Sequence, residues 1–374
     1  MKQIIISGED SFNLLFNYLS ESAVKRIFLV RGKESFFRNG ASDYFLDIEE
    51  KFAVYHFFDF SVNPKIEDVE RGVQEFNKFN SDIIIAIGGG SVIDMAKLIN
   101  LDYPQTSKAE FLKNSNLVTS MQKIVAIPTT AGTGSESTEF AVVYIDYVKF
   151  SVAGKDILPR VVLLEPELTD CLSPYLTAVT GLDALAQAIE SYWSVNSTRE
   201  SLVLSERAIT LLITNLPLAV RNGTNLGYRK DLLQAANLAG QAINITKTTA
   251  PHAISYSFTS YFGIPHGHAV ALTLPFFFEY NFELSKEDCN DPRGATFVKK
   301  SLLDLASILG CDGVYDASRY LQKFISDIGV EIKLDNLNIS LTDIRSYVLP
   351  NINNERLSNN PRALHENWFL ELVQ

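Results

Sequence analysis

The segment Ile83-Ile84-Ile85-Ala86-Ile87-Gly88-Gly89-Gly90-Ser91-Val92-Ile93-Asp94-Met95-Ala96-Lys97 decides the fold. Its apolar run, Ile83–Ile87, shows no polar alternation and reads as a strand buried on both faces, as a parallel sheet requires. The glycines that follow let backbone approach a ligand closely, and Val92–Ile99 reads as the next helix. Strand, glycine loop and helix in that order make a phosphate cradle: the amides of Ser91 and Val92 open a helix whose dipole favours negative charge. A tight turn without a ligand fits the same letters, because the loop is neither GxGxxG nor GxxxxGKS.

The neighbouring sequence repeats the pattern. Upstream, Lys25–Val30 and Phe52–Phe58 read as short strands, and Ile66–Phe79 carries Ile66, Val69, Val73 and Phe76 at helical spacing. Downstream, the strand Lys123–Ile127 stops at Pro128 and runs into a second polar loop, Pro128-Thr129-Thr130-Ala131-Gly132-Thr133-Gly134-Ser135-Glu136. Polar loops at the carboxyl ends of strands in one sheet make the crevice where open α/β sheets bind ligands, which favours a nucleotide. After Glu165-Pro166 the texture turns helical, with Tyr175–Trp193, Glu200–Leu216, Arg229–Asn244, Ala253–Tyr261 and Thr296–Leu309. The expectation is therefore a Rossmann-like α/β nucleotide-binding domain over residues 1–165 and an all-α domain over residues 166–374.

Composition narrows the function. The chain has 374 residues, 33 Lys plus Arg and 44 Asp plus Glu, a formal charge of −11. That balance is a poor match to a phosphate backbone, so no nucleic-acid partner is expected. Cys171, Cys289 and Cys311 are scattered and form no CxxC pair, which fits a reducing compartment. No signal peptide and no run of about 18 apolar residues is evident, so a cytoplasmic protein without a membrane partner is expected.

Of five histidines, three fall within Pro251–His268. His252 and His266 can offer imidazole nitrogens to a divalent metal, and Asp183 is the best candidate for the missing carboxylate. It lies in the apolar helix Gly181–Glu190, where an unpaired charge is costly. Gln187 lies one turn on, on the same face. Two imidazoles and a carboxylate leave the open coordination position that a catalytic metal needs.

Together these pieces resemble the iron-containing (group III) alcohol dehydrogenase family, with its dehydroquinate synthase-like architecture. The likeness rests on Asn63-Pro64, GGGSVIDMAK (Gly88–Lys97), PTTAGTGSE (Pro128–Glu136), EPELT (Glu165–Thr169), TGLDALAQAIES (Thr180–Ser191), HAISYSFTSYFGIPHG (His252–Gly267) and NNPR (Asn359–Arg362), in the family's order. It implies hydride transfer between a nicotinamide cofactor and an alcohol or aldehyde in a cleft between the domains, and a homodimer or larger assembly. The dinucleotide, NADPH or NADH, is implied to lie against Gly32, Asn63, Gly88, Gly89, Gly90, Ser91, Asp94, Thr129, Thr130, Thr133, Lys149 and Leu168. The metal, Fe2+ or Zn2+, is implied at Asp183, His252 and His266, with Gln187 as a further, weaker ligand. Gln187 stands where the family pattern has a further histidine, which puts iron in doubt, although the related glycerol dehydrogenases manage with one Asp and two His around zinc. Tyr256 also replaces a family histidine, and His268 could take over as proton shuttle.

Two departures bear on specificity. Gly32 occupies the position where members preferring NAD carry an Asp. With no carboxylate there, Arg31 and Lys33 could pair with a 2′-phosphate, which leans the reading to NADPH. Lys247, in Thr246-Lys247-Thr248-Thr249-Ala250-Pro251-His252, puts a cation and hydroxyls beside the first metal histidine, where an anionic substrate could be held. This stretch, with Ala178–Ser201 and Ile264–Pro275, resembles the phosphonoacetaldehyde reductase branch, which implies reduction of phosphonoacetaldehyde to 2-hydroxyethylphosphonate. The alternatives are an NAD-dependent polyol or short-chain alcohol dehydrogenase, or a non-catalytic nucleotide-binding member whose metal site has decayed.

Overall fold

The computed structural model describes residues 3–8, 10–104, 107–114, 118–146, 148–365 and 367–372. Contacts divide the chain into two compact units, Met1–Cys171 and Leu172–Gln374, so the division falls six residues beyond the boundary expected after residue 165.

The first unit is built on strands β1 (Ile4–Ser7), β2 (Arg26–Arg31), β3 (Ala53–Phe57), β4 (Ile83–Gly88), β5 (Lys123–Pro128) and β8 (Val161–Leu164). They form one parallel sheet in the order β1-β8-β5-β4-β2-β3. The unalternating run in β4 has its cause here. Ile84 and Ala86 pack with Phe28, Val30 and Ala126 in one core, while Ile83, Ile85 and Ile87 pack with Ile27, Leu29, Val125 and Ile127 in another. Burying each such isoleucine contributes roughly 1.5–3 kcal/mol, so both faces favour the strand.

A second sheet was not foreseen: β6 (Phe140–Ile145) and β7 (Val148–Ala153) form an antiparallel hairpin. Buried Ala141, Val143, Ile145 and Val152 pack it into the first of those cores. Position is what matters for function. Gly88 at the end of β4 is in register with Pro128 at the end of β5, so the glycine loop and the threonine loop leave the sheet side by side.

The second unit contains no strand among its described residues. Its centre is the helix Pro174–Trp193, packed against helices Arg199–Arg221, Leu226–Thr246 and His266–Ala271. The helix Arg199–Arg221 is long and apolar enough by composition to cross a membrane. Here Ala208, Ile209, Leu212 and Leu216 are buried, so it serves as a core helix of this unit.

Candidate metal centre and dinucleotide loops

Three helices bring the metal candidates together. Asp183 sits mid-way along Pro174–Trp193, His252 in the first turn of Ala250–Phe262, and His266 at the start of His266–Ala271. Gly263, with φ of +69°, ends the middle helix and turns the chain back within four residues. Gly267 permits the final approach: a Cβ there would lie 1.8 Å from the Val179 carbonyl oxygen and 3.0 Å from Asp183 Cβ. Only a glycine lets His266 enter its helix against that face.

One candidate ligand atom from each of Asp183, His252 and His266 lies within 4.8 Å of the others. His252 Nε2 is 3.3 Å and His266 Nε2 4.0 Å from Asp183 Oδ1. Asp183 and His252 are buried and His266 is partly open. Burial alone would raise the Asp183 pKa, but the His252 hydrogen bond and the two imidazoles outweigh it and hold the carboxyl below its ordinary value. Burial alone would lower His252, but Glu190 and Asp183 outweigh it and push the imidazole up to about 10. A buried hard oxygen and two borderline nitrogens converging on one point fit a divalent cation such as Fe2+ or Zn2+, and without the cation a proton on His252 compensates the carboxylates.

Gln187 lies beside the three. Its amide nitrogen donates to Asp183 Oδ1 at 3.1 Å and so supports the carboxylate. His268 is held on both sides. Its Nε2 lies 2.5 Å from the Glu331 carbonyl oxygen, which can only accept, so Nδ1 is left to accept from the Tyr175 hydroxyl at 2.9 Å. Both ring nitrogens are thereby engaged in a buried tether.

Glu190 escaped the sequence reading. It is fully buried, and its carboxylate takes a short hydrogen bond from His252 Nδ1 and others from Thr249 N at 2.7 Å and Thr249 Oγ1 at 2.9 Å. Its spacing of seven from Asp183, two turns of one helix face, was the available signal. Lys247 is half-buried and held at φ +61°, ψ 176°, a left-handed extended conformation that favours glycine.

In the first unit the two loops interlock. A Cβ on Gly90 would lie 2.7 Å from Thr133 Oγ1, and one on Gly89 3.4 Å from Thr130 Oγ1. Thr129 N donates to the Gly88 carbonyl at 3.1 Å, and Asn63 N donates to Ser91 Oγ at 3.2 Å. Asp94 is used as a brace: Ser135 Oγ donates to it at 2.5 Å and Val142 N at 3.1 Å. Burial raises its pKa against the opposing pull of Lys97, Ser135, Val142 and Lys149. Leu168 is fully buried in the core with Ile127 and Leu163, so its side chain serves packing. Arg31 is likewise occupied: its Nε donates to His56 Nδ1 at 2.9 Å, its Nη1 to the Gly32 carbonyl at 3.1 Å, and its guanidinium stacks 4.1 Å from the Phe58 ring.

Profiles described as "Iron-containing alcohol dehydrogenase" and "Fe-containing alcohol dehydrogenase family, C-terminal" match residues 2–166 and 177–374. The chain belongs to the iron-containing alcohol dehydrogenase family. Among its relatives, the phosphonoacetaldehyde reductase of Streptomyces viridochromogenes is 34% identical over 301 residues, covering 78% of this chain and 75% of that one. The long-chain-alcohol dehydrogenase 1 of Geobacillus thermodenitrificans is 30% identical, covering 83% of this chain and 78% of that one. Among solved structures, the sulfoacetaldehyde reductase of Bifidobacterium kashiwanohense in complex with NAD+ is similar with a TM-score of 0.88, at 27% identity over 99% of this chain and 96% of that one. This member of the iron-containing alcohol dehydrogenases therefore shares its fold with that solved structure.

Proposed function

We propose that this iron-containing alcohol dehydrogenase interconverts a short aldehyde carrying an anionic head group with its primary alcohol, using NADPH or NADH. The observation that carries the reading is the convergence of Asp183, His252 and His266 on one buried point in the second unit. A divalent cation held there supplies a Lewis acid for the carbonyl oxygen, and a reduced nicotinamide supplies the hydride. The chain's own residues do the rest. Asp183 provides the anionic ligand and Gln187 orients it through the amide hydrogen bond. His252 and His266 provide neutral nitrogens once the proton between His252 and the carboxylates has left. The backbone of Gly88–Ser91 and the hydroxyls of Thr129, Thr130 and Thr133 hold the dinucleotide in the first unit.

Support for an anionic substrate comes from two directions. Lys247 precedes the His252 helix in a strained backbone that its sequence would not choose. Independently, the names of two relatives, phosphonoacetaldehyde reductase and sulfoacetaldehyde reductase, both describe a two-carbon aldehyde with an acidic group. Phosphonoacetaldehyde, giving 2-hydroxyethylphosphonate, is the substrate we favour. Because Arg31 is committed to His56, selection of NADPH over NADH would fall to Lys33 and to the missing carboxylate at Gly32.

The test is a panel of phosphonoacetaldehyde, sulfoacetaldehyde and propanal with zinc- or iron-loaded protein and each nicotinamide. A charged hydrogen bond to Lys247, contributing about 1.5–3 kcal/mol, predicts kcat/KM for the anionic aldehydes above that for propanal by roughly 10-fold or more. Equal values would reject the anionic substrate. Absence of turnover on every aldehyde with both cofactors would reject the oxidoreductase reading.

A further inference from the structure

We propose that Glu190 is a positioning residue that fixes His252 as a metal ligand and, through Thr249, locks the strained turn that presents Lys247. The inference rests on the metal-centre reading above and deepens it.

Glu190 is fully exposed to the cost of burial, at 0% accessibility in an apolar stretch of helix, yet no arginine or lysine pairs with it in the contacts described. What compensates it is a set of donors from a single segment. One oxygen takes the His252 Nδ1–H, and the other takes the Thr249 amide and hydroxyl. A carboxylate can only accept, so Nδ1 carries the hydrogen and Nε2 is the nitrogen turned to Asp183. Such an outer carboxylate selects the ring nitrogen left for a metal and orients the ring.

The same contact reaches Lys247. Its positive φ survives because both flanks are gripped. Before it, the Thr246 carbonyl accepts from Ser194 Oγ at 3.2 Å and Asn196 Nδ2 at 3.3 Å. After it, the Thr248 carbonyl accepts from Asn359 Nδ2 at 2.9 Å. Thr249 is then held by Glu190, while its hydroxyl accepts from Trp193 Nε1 at 2.9 Å. One carboxylate thus fastens the imidazole and the turn to the helix that carries Asp183. Metal affinity and recognition of the anionic head become coupled through it.

The experiment titrates zinc into the metal-free full chain against a chromophoric chelator, for wild type, Glu190→Gln and Glu190→Asp. In Glu190→Gln, zinc affinity should fall about 10- to 100-fold. KM for phosphonoacetaldehyde should rise more than KM for propanal, and NADPH binding, read by fluorescence, should stay within two-fold of wild type, about. A purely structural residue would lower the melting temperature without this selective pattern. Unchanged zinc affinity in Glu190→Gln overturns the proposal. Should both variants fail to fold, 15N-histidine NMR of zinc-loaded wild type decides: His252 must show a protonated Nδ1 and a metal-shifted Nε2, and the reverse assignment overturns it. A wild-type chain that binds no zinc defeats the metal-centre reading itself, a result distinct from either.

Discussion

Gly90 and Thr133 are packed so closely that a Cβ on the glycine would lie 2.7 Å from the threonine Oγ1, 2.8 Å from its Cγ2 and 3.0 Å from its Cβ. Two loops that leave neighbouring strands are therefore fitted to each other before any ligand arrives. Gly90→Ala must push Thr133 aside, with an overpacking cost of about 1–3 kcal/mol. We expect weaker dinucleotide binding in a fluorescence titration, with a smaller effect from Gly89→Ala, where the nearest atom is 3.4 Å away. Equal effects from the two substitutions would contradict this account of the loops.

Lys97 carries the second prediction. It is fully buried, and its ammonium donates to the carbonyls of Ser135, Thr138 and Phe140 at 2.6, 2.8 and 2.9 Å, with Asp94 three residues earlier on the same helix face. Lys97→Met keeps the volume but strands those oxygens and removes the larger of the two cationic influences on Asp94, the other being Lys149. Leaving buried acceptors unsatisfied costs about 1–3 kcal/mol or more, to be read as a lower urea midpoint. A loss below about 1 kcal/mol would mean that water replaces the ammonium without difficulty.

The metal-free protein should show a characteristic pH dependence. His252 is raised to about 10 in the folded chain, so its contribution to stability is full below its unfolded value near 6.5 and is lost as pH rises through 10. Asp183 is lowered, so its contribution is present above its unfolded value and is lost as pH falls through the folded one. Denaturation in the presence of chelator should therefore show stability declining on the alkaline side between about pH 6.5 and 10. Zinc must displace the His252 proton, so titration calorimetry in buffers of different ionisation enthalpy should report proton release at pH 7. Absence of release would mean that His252 is neutral before the metal binds.

How much of this was legible in the letters depends on the range of the interaction. The sheet was readable because Ile83–Ile87 carries its burial on both faces in its own composition, and Ile66–Phe79 carries its helix in its spacing. Asp183, His252 and His266 were readable by type, since few other residues can ligate a metal in an apolar setting. Less legible were the contacts of residues whose partners lie far away in sequence. Nothing near His268 reveals the Glu331 carbonyl 63 residues later. The partners of Asp94, Ser135 and Val142, belong to the next loop and the unforeseen hairpin. Glu190 drew no notice because its partners, Thr249 and His252, lie 59 and 62 residues further on.

Gly32 offers a direct handle on cofactor choice. A Cβ there would lie 2.0 Å from Ser35 Oγ and 3.4 Å from Ser35 Cβ, so Gly32→Asp requires only that the serine hydroxyl rotate away. The new carboxylate would accept from ribose hydroxyls and repel a 2′-phosphate. We expect the ratio of kcat/KM for NADH over NADPH to rise by about 10-fold or more, since one charged hydrogen bond is gained and one repulsion is added. If Gly32→Asp with Ser35→Ala, which clears the obstruction, still shows no change in the ratio, position 32 does not read the ribose.

Lys247 allows function to be separated from stability. A residue other than glycine at φ +61°, ψ 176° stores about 1–3 kcal/mol of backbone strain. Lys247→Gly relieves that strain at an entropic cost of about 0.5–1 kcal/mol, so the variant should be no less stable than wild type and is expected to be more stable. Lys247→Ala keeps the strain and loses the ammonium, so its stability should stay near wild type or fall. Both should raise KM for phosphonoacetaldehyde while leaving KM for propanal close to its original value. A glycine variant that is destabilised would show that the lysine stem contributes more to packing than its backbone costs. A variant whose KM rises equally for both aldehydes would show that the turn shapes the pocket without reading charge. Stabilisation paired with a loss confined to the anionic substrate is the signature of strain retained for recognition.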